Sequence, residues 1–307
     1  MTQRIKVGTR GSGLAVAQTQ LVIAALRQKL PHLEFELVKI TTSGDLILDQ
    51  TLDKLGGKGL FVKEIEGALY NGAIDMAVHS MKDLPAQVGE GLIIAAVSKR
   101  EDPRDALVSP RGLKLDELPA GAVIGTSSLR RETQLLEKRP DLKTALLRGN
   151  ILTRIDKLWQ GQFDAIMLAA AGLKRLGLEN KVTQYFEPDE IIPAVCQGIL
   201  AIQTRAAADG AALTGYLLES VHCEEAALCA AAERAYMIRL NGGCSTPIAA
   251  HAVIGGAAMT VRGMLADEKT QRIHRAAVTG SKTDAARLGE KLAGLILAQT
   301  GGTRNAQ

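Results

Sequence analysis

The stretch AVIGTSSLRR, residues 122–131, decides the fold class of this chain. Residues 122–126 form an apolar, β-leaning run, and a helix is predicted to start near Ser128. Runs of the same strand-like kind recur earlier and later, most of them separated by helical patterns: residues 5–9, 36–42, 75–79, 106–109, 144–147 and 165–168. Strands that alternate with helices predict α/β domains with largely parallel sheets, which bind ligands at the carboxyl ends of their strands.

The last third of the chain has a different pattern. Residues 224–240 predict a helix with acidic residues in its first turn and Arg234 and Arg239 in later turns, as the helix dipole favours. Three β-leaning runs follow the helix: residues 248–254, 260–265 and 272–278. A closing helix begins at the capping-box-like sequence SKTD, residues 281–284. This order of elements predicts a small α+β unit.

Composition favours a globular protein of more than one domain. The chain has 307 residues, 46% apolar and 23% charged, which is ordinary for a folded protein and favours two or three domains. The formal charge of +4 does not identify nucleic acid as a partner, because aromatic residues, which stack on bases, make up only 3%. A cationic pocket for a small polyanion explains the positive charge equally well.

Cysteine use and the N-terminus indicate a soluble, cytoplasmic protein. Four cysteines in a chain of this length do not make a disulfide scaffold. The N-terminal residues lack the apolar stretch of a signal peptide, and the longest apolar run, residues 165–173, is less than half of the roughly 20 residues that span a bilayer. His222, Cys223, Cys229 and Cys244 are irregularly spaced and lack a CxxC pair, so no metal site is predicted.

Arginines and hydroxyl side chains recur where a predicted strand passes into a helix. They form three junctions: Arg10 with Ser12, then Thr126 and Ser128 with Arg130 and Arg131, then Arg148 with Arg154. Backbone N–H groups at a helix start, hydroxyls and a guanidinium together bind carboxylate or phosphate groups. One such junction is more often a helix cap with solvated arginines, but three in successive βα units favour a polyanionic ligand.

Two further segments carry reactive groups. VHSMKDLP, residues 78–85, follows an apolar strand, and Asp83 could there accept a hydrogen bond from a substrate or stabilise a cation; a capped turn explains it equally well. Cys244 lies in NGGCSTP, residues 241–247, a flexible turn between a predicted helix and a strand. A free cysteine is more often buried and inert, but one on a Gly-Gly turn is a candidate for covalent attachment.

These segments, in this order, resemble those of the hydroxymethylbilane synthases (porphobilinogen deaminases), and the resemblance covers nearly the full chain. Its most specific parts are HSMKDLP at residues 79–85, GTSSLRR at residues 125–131 and the GGC turn at residues 242–244. The family implies an α/β fold with two lobes like type II periplasmic binding proteins and a small α+β C-terminal domain. The implied boundaries are residues 1–98 with 198–218, residues 103–193, and residues 222–307. Nothing in the sequence demands a partner subunit, so a monomer is expected.

By the same resemblance, a dipyrromethane cofactor is joined to Cys244 by a thioether. It primes the head-to-tail condensation of four porphobilinogen molecules, each losing ammonia, and hydrolysis then releases hydroxymethylbilane for haem synthesis. Asp83 is the implied catalytic residue. The implied cofactor-binding residues are Cys244, Lys82, Asp83, Thr126, Ser128, Arg130, Arg131 and Arg148. The implied substrate-binding residues are Arg10, Ser12, Lys58, Phe61, Arg148, Arg154, Arg175 and Gln197. Every pyrrole ring carries an acetate and a propionate, which guanidinium groups bind well.

Three positions depart from the family pattern, and two alternative functions remain open. Cys196, in PAVCQG, stands where the family commonly has glycine, and Gly13 and Leu152 also differ. We expect the Cys196 thiol to be inert. The main alternative is a non-catalytic two-lobed protein that binds an anionic small molecule, although it would have no use for a reactive cysteine. A nucleic-acid-binding regulator would rest on the positive charge alone.

Overall fold

The computed structural model describes residues 4–46, 62–206, 211–242, 246–267 and 272–300. Its strands, in chain order, are β1 Arg4–Arg10, β2 Glu34–Ile40, β3 Met76–Ser80, β4 Leu92–Val97, β5 Asp105–Val108, β6 Val123–Gly125, β7 Lys143–Ala145, β8 Ala165–Ala169, β9 Gln184–Phe186, β10 Leu200–Arg205, β11 Ile248–Gly255, β12 Ala258–Ala266 and β13 Ile273–Ser281. Its α-helices are α1 Gly13–Lys29, α2 Ser43–Leu46, α3 Lys63–Tyr70, α4 Leu129–Lys138, α5 Ile151–Trp159, α6 Ala170–Arg175, α7 Ala211–Ser220, α8 Glu224–Arg239 and α9 Ala285–Gln299.

The chain divides into two compact units. The first comprises Met1–Glu101 and Gly198–Ala227, and the second comprises Asp102–Gln197 and Leu228–Gln307.

The first unit is built on a five-stranded sheet with the order β2-β1-β3-β10-β4. β1 pairs in parallel with β2 and β3, whereas β10 pairs antiparallel with β3 and β4. Helix α1 packs against this sheet because Val22 and Leu26 lie one turn apart and join Val7 in a buried cluster. The helix begins at Ser12, whose hydroxyl accepts a hydrogen bond of 3.3 Å from the Ala15 N–H.

The second unit contains a five-stranded sheet with the order β7-β6-β8-β5-β9. β6 is parallel to β7 and β8, and β5 is antiparallel to β8 and β9. In both sheets, therefore, the fourth strand of the spatial order runs antiparallel to its neighbours. Alternate residues of β8 point to opposite faces, so Ala165 and Met167 join one buried cluster while Ile166 and Leu168 join another.

The C-terminal part of the second unit is an antiparallel sheet, β11-β12-β13, with helices α8 and α9. The Tyr236 hydroxyl of α8 donates a hydrogen bond of 2.7 Å to the Met264 carbonyl of β12, which anchors the helix to the sheet. A Cβ atom on Gly289 of α9 would lie 2.0 Å from the Ala232 carbonyl oxygen of α8. The close approach of these two helices therefore requires glycine.

The predicted α/β fold class is confirmed. Two largely parallel sheets have helices between their strands in sequence, and a small α+β region lies at the C-terminal end. The sequence patterns miss three strands, β4, β9 and β10. The predicted closing helix exists, but a 3-10 turn at Lys282–Asp284 precedes it. None of the helices in the described ranges is long and apolar enough to cross a membrane.

Candidate active site

A small pocket of the first unit lies where β1 and β3 end. These strands are parallel neighbours, so their carboxyl ends lie side by side. The cavity measures about 50 Å³, and its lining includes Arg10, Ser12, His79, Ser80 and Asp83. We call it the Asp83 pocket. The structure thus brings together three of the predicted site residues, namely Arg10, Ser12 and Asp83.

Local structure holds the walls of the Asp83 pocket in place. Asp83 ends the 3-10 helix Met81–Asp83, which follows β3 directly, and Lys82 in the same turn is half-buried. The Gln18 amide of α1 donates a hydrogen bond of 2.9 Å to the Ser80 hydroxyl, and its carbonyl accepts one of 3.1 Å from the same hydroxyl. This reciprocal pair fixes α1 against the end of β3.

The second unit places Thr126 and Ser128 between the end of β6 and the start of α4. The buried Thr126 hydroxyl accepts a hydrogen bond of 3.2 Å from the Ser128 N–H. Ser128 is the N-cap residue of α4, but its hydroxyl makes no capping bond to that helix. The Ser127 hydroxyl donates instead to the carbonyl of Leu147, which ties this junction to the segment after β7. The Ser128 hydroxyl is therefore not used to cap α4, and it lies at a helix start, where the helix dipole favours an anion.

Arg148 lies at a glycine turn before α5. Gly149 has φ +110°, and a Cβ atom there would lie 2.8 Å from Thr153, so the turn requires glycine. Asn150 caps α5 by accepting a hydrogen bond of 3.0 Å from the Thr153 N–H. The Arg154 Nε donates a bond of 2.8 Å to the Gly149 carbonyl. The Nε of Arg148 is buried and has no hydrogen-bond partner among the described residues.

Three other predicted binding residues, Arg130, Arg131 and Gln197, form a hydrogen-bonded network with Asp105. We call these four residues the Asp105 cluster. The Asp105 carboxylate is fully buried and accepts bonds of 2.6 Å from Arg130, 2.7 and 3.0 Å from Arg131, and 3.0 Å from Gln197. Burial alone would raise the pKa of Asp105, but the two guanidinium charges hold it well below its usual range. Arg130 and Arg131 are 5% and 6% exposed, so both are packed inside the unit.

The remaining predicted residues are less informative. Arg175 is half-buried in the last turn of α6. Lys58, Phe61 and Cys244 lie outside the described residues. Within the described ranges, no group of three or more His, Cys, Asp and Glu side chains could hold a metal ion.

Sequence reasoning missed several residues that complete these sites. His79 and Ser80 lie within the HSMKDLP segment but had no assigned role. Gln18 meets Ser80, and Asp105 meets the predicted site residue Arg130, only after folding; nothing in the local sequence singled them out.

These features define a mixed α/β protein with hydroxyl and guanidinium groups at the carboxyl ends of its parallel strands. Two family models match it: porphobilinogen deaminase, dipyromethane cofactor binding domain, over residues 5–212, and porphobilinogen deaminase, C-terminal domain, over residues 227–298. The chain belongs to the porphobilinogen deaminase family.

Curated relatives match over almost the whole length. The porphobilinogen deaminase of Paenibacillus macerans is 49% identical, covering 98% of this chain and 99% of its own. That of Ruminiclostridium josui is 46% identical, covering 94% and 96%. Solved structures match more distantly. They include the BenM effector binding domain with benzoate (15% identical, TM-score 0.43, 71% of this chain and 90% of that one) and the SsuA aliphatic sulphonate binding protein from Escherichia coli (13%, 0.41, 78% and 71%).

Three predictions from the sequence are therefore confirmed: the family, the activity of a transferase that assembles hydroxymethylbilane, and the dipyrromethane cofactor. The alternative of a non-catalytic binding protein is wrong.

Proposed function

We propose that Asp83 is the catalytic residue that condenses porphobilinogen and that it acts in the Asp83 pocket. A carboxylate there accepts a hydrogen bond from a pyrrole N–H and stabilises the positive charge that develops as ammonia leaves. Arg10 and Ser12 in the same cavity donate to an acetate or propionate of the ring. The observation that carries this proposal is the shared cavity, which places an acceptor beside donors for anions.

The second unit supports the binding of dipyrromethane. A buried donor without a partner is costly, and the Arg148 Nε is such a donor among the described residues. A ring carboxylate would satisfy it, so the residues present fit this cofactor. Thr126 and Ser128 would add hydroxyl contacts to the cofactor, and Arg154 and Arg175 would bind the carboxylates of the substrate. Lys82, a residue of the first unit, is a further proposed cofactor-binding residue. When bound through Cys244, dipyrromethane supplies the pyrrole carbon to which the first substrate joins.

Arg130, Arg131 and Gln197 would act from fixed positions. Asp105 occupies Nη1 of Arg130 and Nε and Nη2 of Arg131, so these arginines meet a ligand carboxylate with their orientation already set. Lys58 and Phe61 are proposed as substrate-binding residues from the resemblance of their segment alone.

We propose three domains: residues 1–98 with 198–218, residues 103–193, and residues 222–307. The second compact unit comprises most of the second and third of these together. The first compact unit is close to the first of these. The C-terminal family model begins at residue 227, near the start of the third. We further propose a cytoplasmic monomer that takes porphobilinogen as substrate and binds neither nucleic acid nor membrane; gel filtration of the holoprotein checks the oligomeric state.

Intact-mass analysis tests the attachment site. The purified protein is expected to be heavier than its sequence by two pyrrole units, and Cys244→Ser is expected to lose them. Cys223→Ser, a half-buried cysteine elsewhere in the chain, is the matched control and should keep the added mass. A wild-type mass equal to that of the bare chain, or a loss of mass only in the control, would refute the assignment.

A further inference from the structure

A chain of hydrogen bonds leads from the Asp83 pocket to helix α3. His79, which lines the pocket, places its Nε2 3.0 Å from the Oε1 of Gln203 on the neighbouring strand β10. The Gln203 Nε2 donates a bond of 2.7 Å to the Oε1 of Glu66 on α3. The same Glu66 oxygen accepts a bond of 3.1 Å from the Gly89 N–H. Hydrogen bonds thus link His79 to Gln203 and Gln203 to Glu66, two side chains that the proposed reaction does not use.

The direction of this chain determines where the imidazole proton lies. The Glu66 Oε1 accepts from the Gly89 N–H and from the Nε2 of Gln203, so the amide nitrogen of Gln203 faces Glu66. The amide oxygen of Gln203 therefore faces His79, and Nε2 must carry the proton that it accepts. Nδ1 keeps its lone pair, and Gln203 is the one hydrogen-bond partner of this ring among the described residues. The ring is fixed as an acceptor at Nδ1.

The ring is also uncharged at neutral pH. Burial lowers the pKa of His79 to about 4; the bond to Gln203 offsets part of this effect, and the Arg10 charge adds to it. The lining of the Asp83 pocket therefore includes both a carboxylate and a neutral imidazole.

Such a pair suits a ligand that carries both N–H donors and carboxylates. A second carboxylate in place of His79 would repel the acetate and propionate groups. A cation there would repel the protonated aminomethyl group that leaves as ammonia. A neutral imidazole accepts a hydrogen bond without either penalty.

We propose that His79 is a second ligand-contacting acceptor of this pocket, which binds a pyrrole or aminomethyl N–H through Nδ1, and that Gln203 and Glu66 are positioning residues for it. This inference rests on the proposed function, because it requires a pyrrole in the Asp83 pocket.

The tautomer is tested directly by NMR of the holoenzyme labelled with ¹⁵N-histidine. Wild type is expected to show a protonated Nε2 and an unprotonated Nδ1 for His79, with the resonance assigned by its loss in His79→Phe. In Glu66→Gln the end of the chain can donate as well as accept, so the Gln203 amide can reverse and the second tautomer should appear. A protonated Nδ1 in wild type, or an unchanged tautomer in Glu66→Gln, would overturn the inference.

Kinetics of the same variants separate contact from mere packing. His79→Phe is expected to lower kcat/KM about threefold to tenfold, the loss of one hydrogen bond. Glu66→Gln should lower it less, and adding it to His79→Phe should cost nothing more, because both changes act through one ring. His32→Gln, an exposed histidine of the same unit, is the control and should match wild type. Additive losses, or full activity of His79→Phe, would contradict the inference while the cofactor mass and the role of Asp83 still stand.

Discussion

The Asp83 pocket and the Asp105 cluster use similar groups in opposite ways. Each has a carboxylate near arginines, but Asp105 is fully buried with its oxygens bound to two guanidinium groups and an amide. Asp83 is half-buried and lines a cavity of about 50 Å³. Removing one member of a buried ion pair leaves the other charge unpaired, whereas polar groups that converge on a cavity are placed to bind a ligand. The two carboxylates should therefore respond differently to the same substitution.

The largest effect is expected for Asp83→Asn, measured as turnover of porphobilinogen. The amide keeps the shape but lacks the negative charge that stabilises the developing cation, so kcat should fall by about 10²–10³-fold. The melting temperature and the added mass of the cofactor should not change. Asp116→Asn, an exposed carboxylate, is the control. If Asp83→Asn kept more than a tenth of the activity, the pocket would not be the catalytic centre.

Asp105→Asn should show the reverse pattern, with loss of stability first. Removing this carboxylate leaves two buried guanidinium groups without a counter-ion, which costs about 3–5 kcal/mol of unfolding free energy. Urea denaturation measures it. Asp141→Asn removes the partner of Arg139 at the surface, and its stability should match that of wild type. Equal stability of the two variants would mean that the Asp105 cluster is not structural.

The pH dependence of this cluster follows from the depressed pKa of Asp105. The unfolded carboxyl group takes up a proton near its ordinary pKa of about 4, and the folded one only at lower pH. The stabilisation is therefore fully present above pH of about 4 and is lost as the pH falls towards the native pKa. The stability difference between wild type and Asp105→Asn should shrink in that acid range.

The contrast between these two regions also shows what the sequence could predict. The arginine junctions and the HSMKDLP segment were correctly predicted to follow strands, because an apolar β-leaning run precedes each of them. The sequence did not distinguish the paired Arg130 and Arg131 from Arg148, since Asp105 meets them only in the folded chain. Strand β10 was missed for the same reason: its partners, β3 and β4, lie far earlier in the chain.

A smaller effect is expected at His79. Its contribution makes the free energy of unfolding depend on pH between about 4 and 6.5, above the range in which Asp105 acts. Its pKa is about 4 in the folded protein against 6.5 ordinarily, so the unfolded chain binds the extra proton between these values. Stability should fall as the pH falls through that window, by at most about 1.4 kcal/mol per pH unit. Urea denaturation at pH 6.5 and pH 4.5 measures this dependence. In His79→Phe, the free energy of unfolding should lack the part of the change between these two pH values that His79 causes. If the free energy of unfolding depended on pH in the same way in wild type and in His79→Phe, the buried ring would not be held neutral.

The smallest effect is expected at Cys196, beside the Asp105 cluster in sequence. This fully buried residue has φ +60°, a conformation that favours glycine, and its N–H donates a bond of 2.6 Å to Glu233. Cys196→Ala removes the packed thiol but keeps the backbone strain, whereas Cys196→Gly relieves roughly 1 kcal/mol of that strain. Glycine should therefore be tolerated at least as well as alanine in thermal denaturation, although it removes more atoms. Should alanine prove clearly more stable, the left-handed backbone at 196 costs little, and the Glu233 bond alone holds the segment after Val195.

The Cys196 thiol should also react more slowly with a thiol reagent than that of the half-buried Cys223, since the buried side chain reaches no solvent.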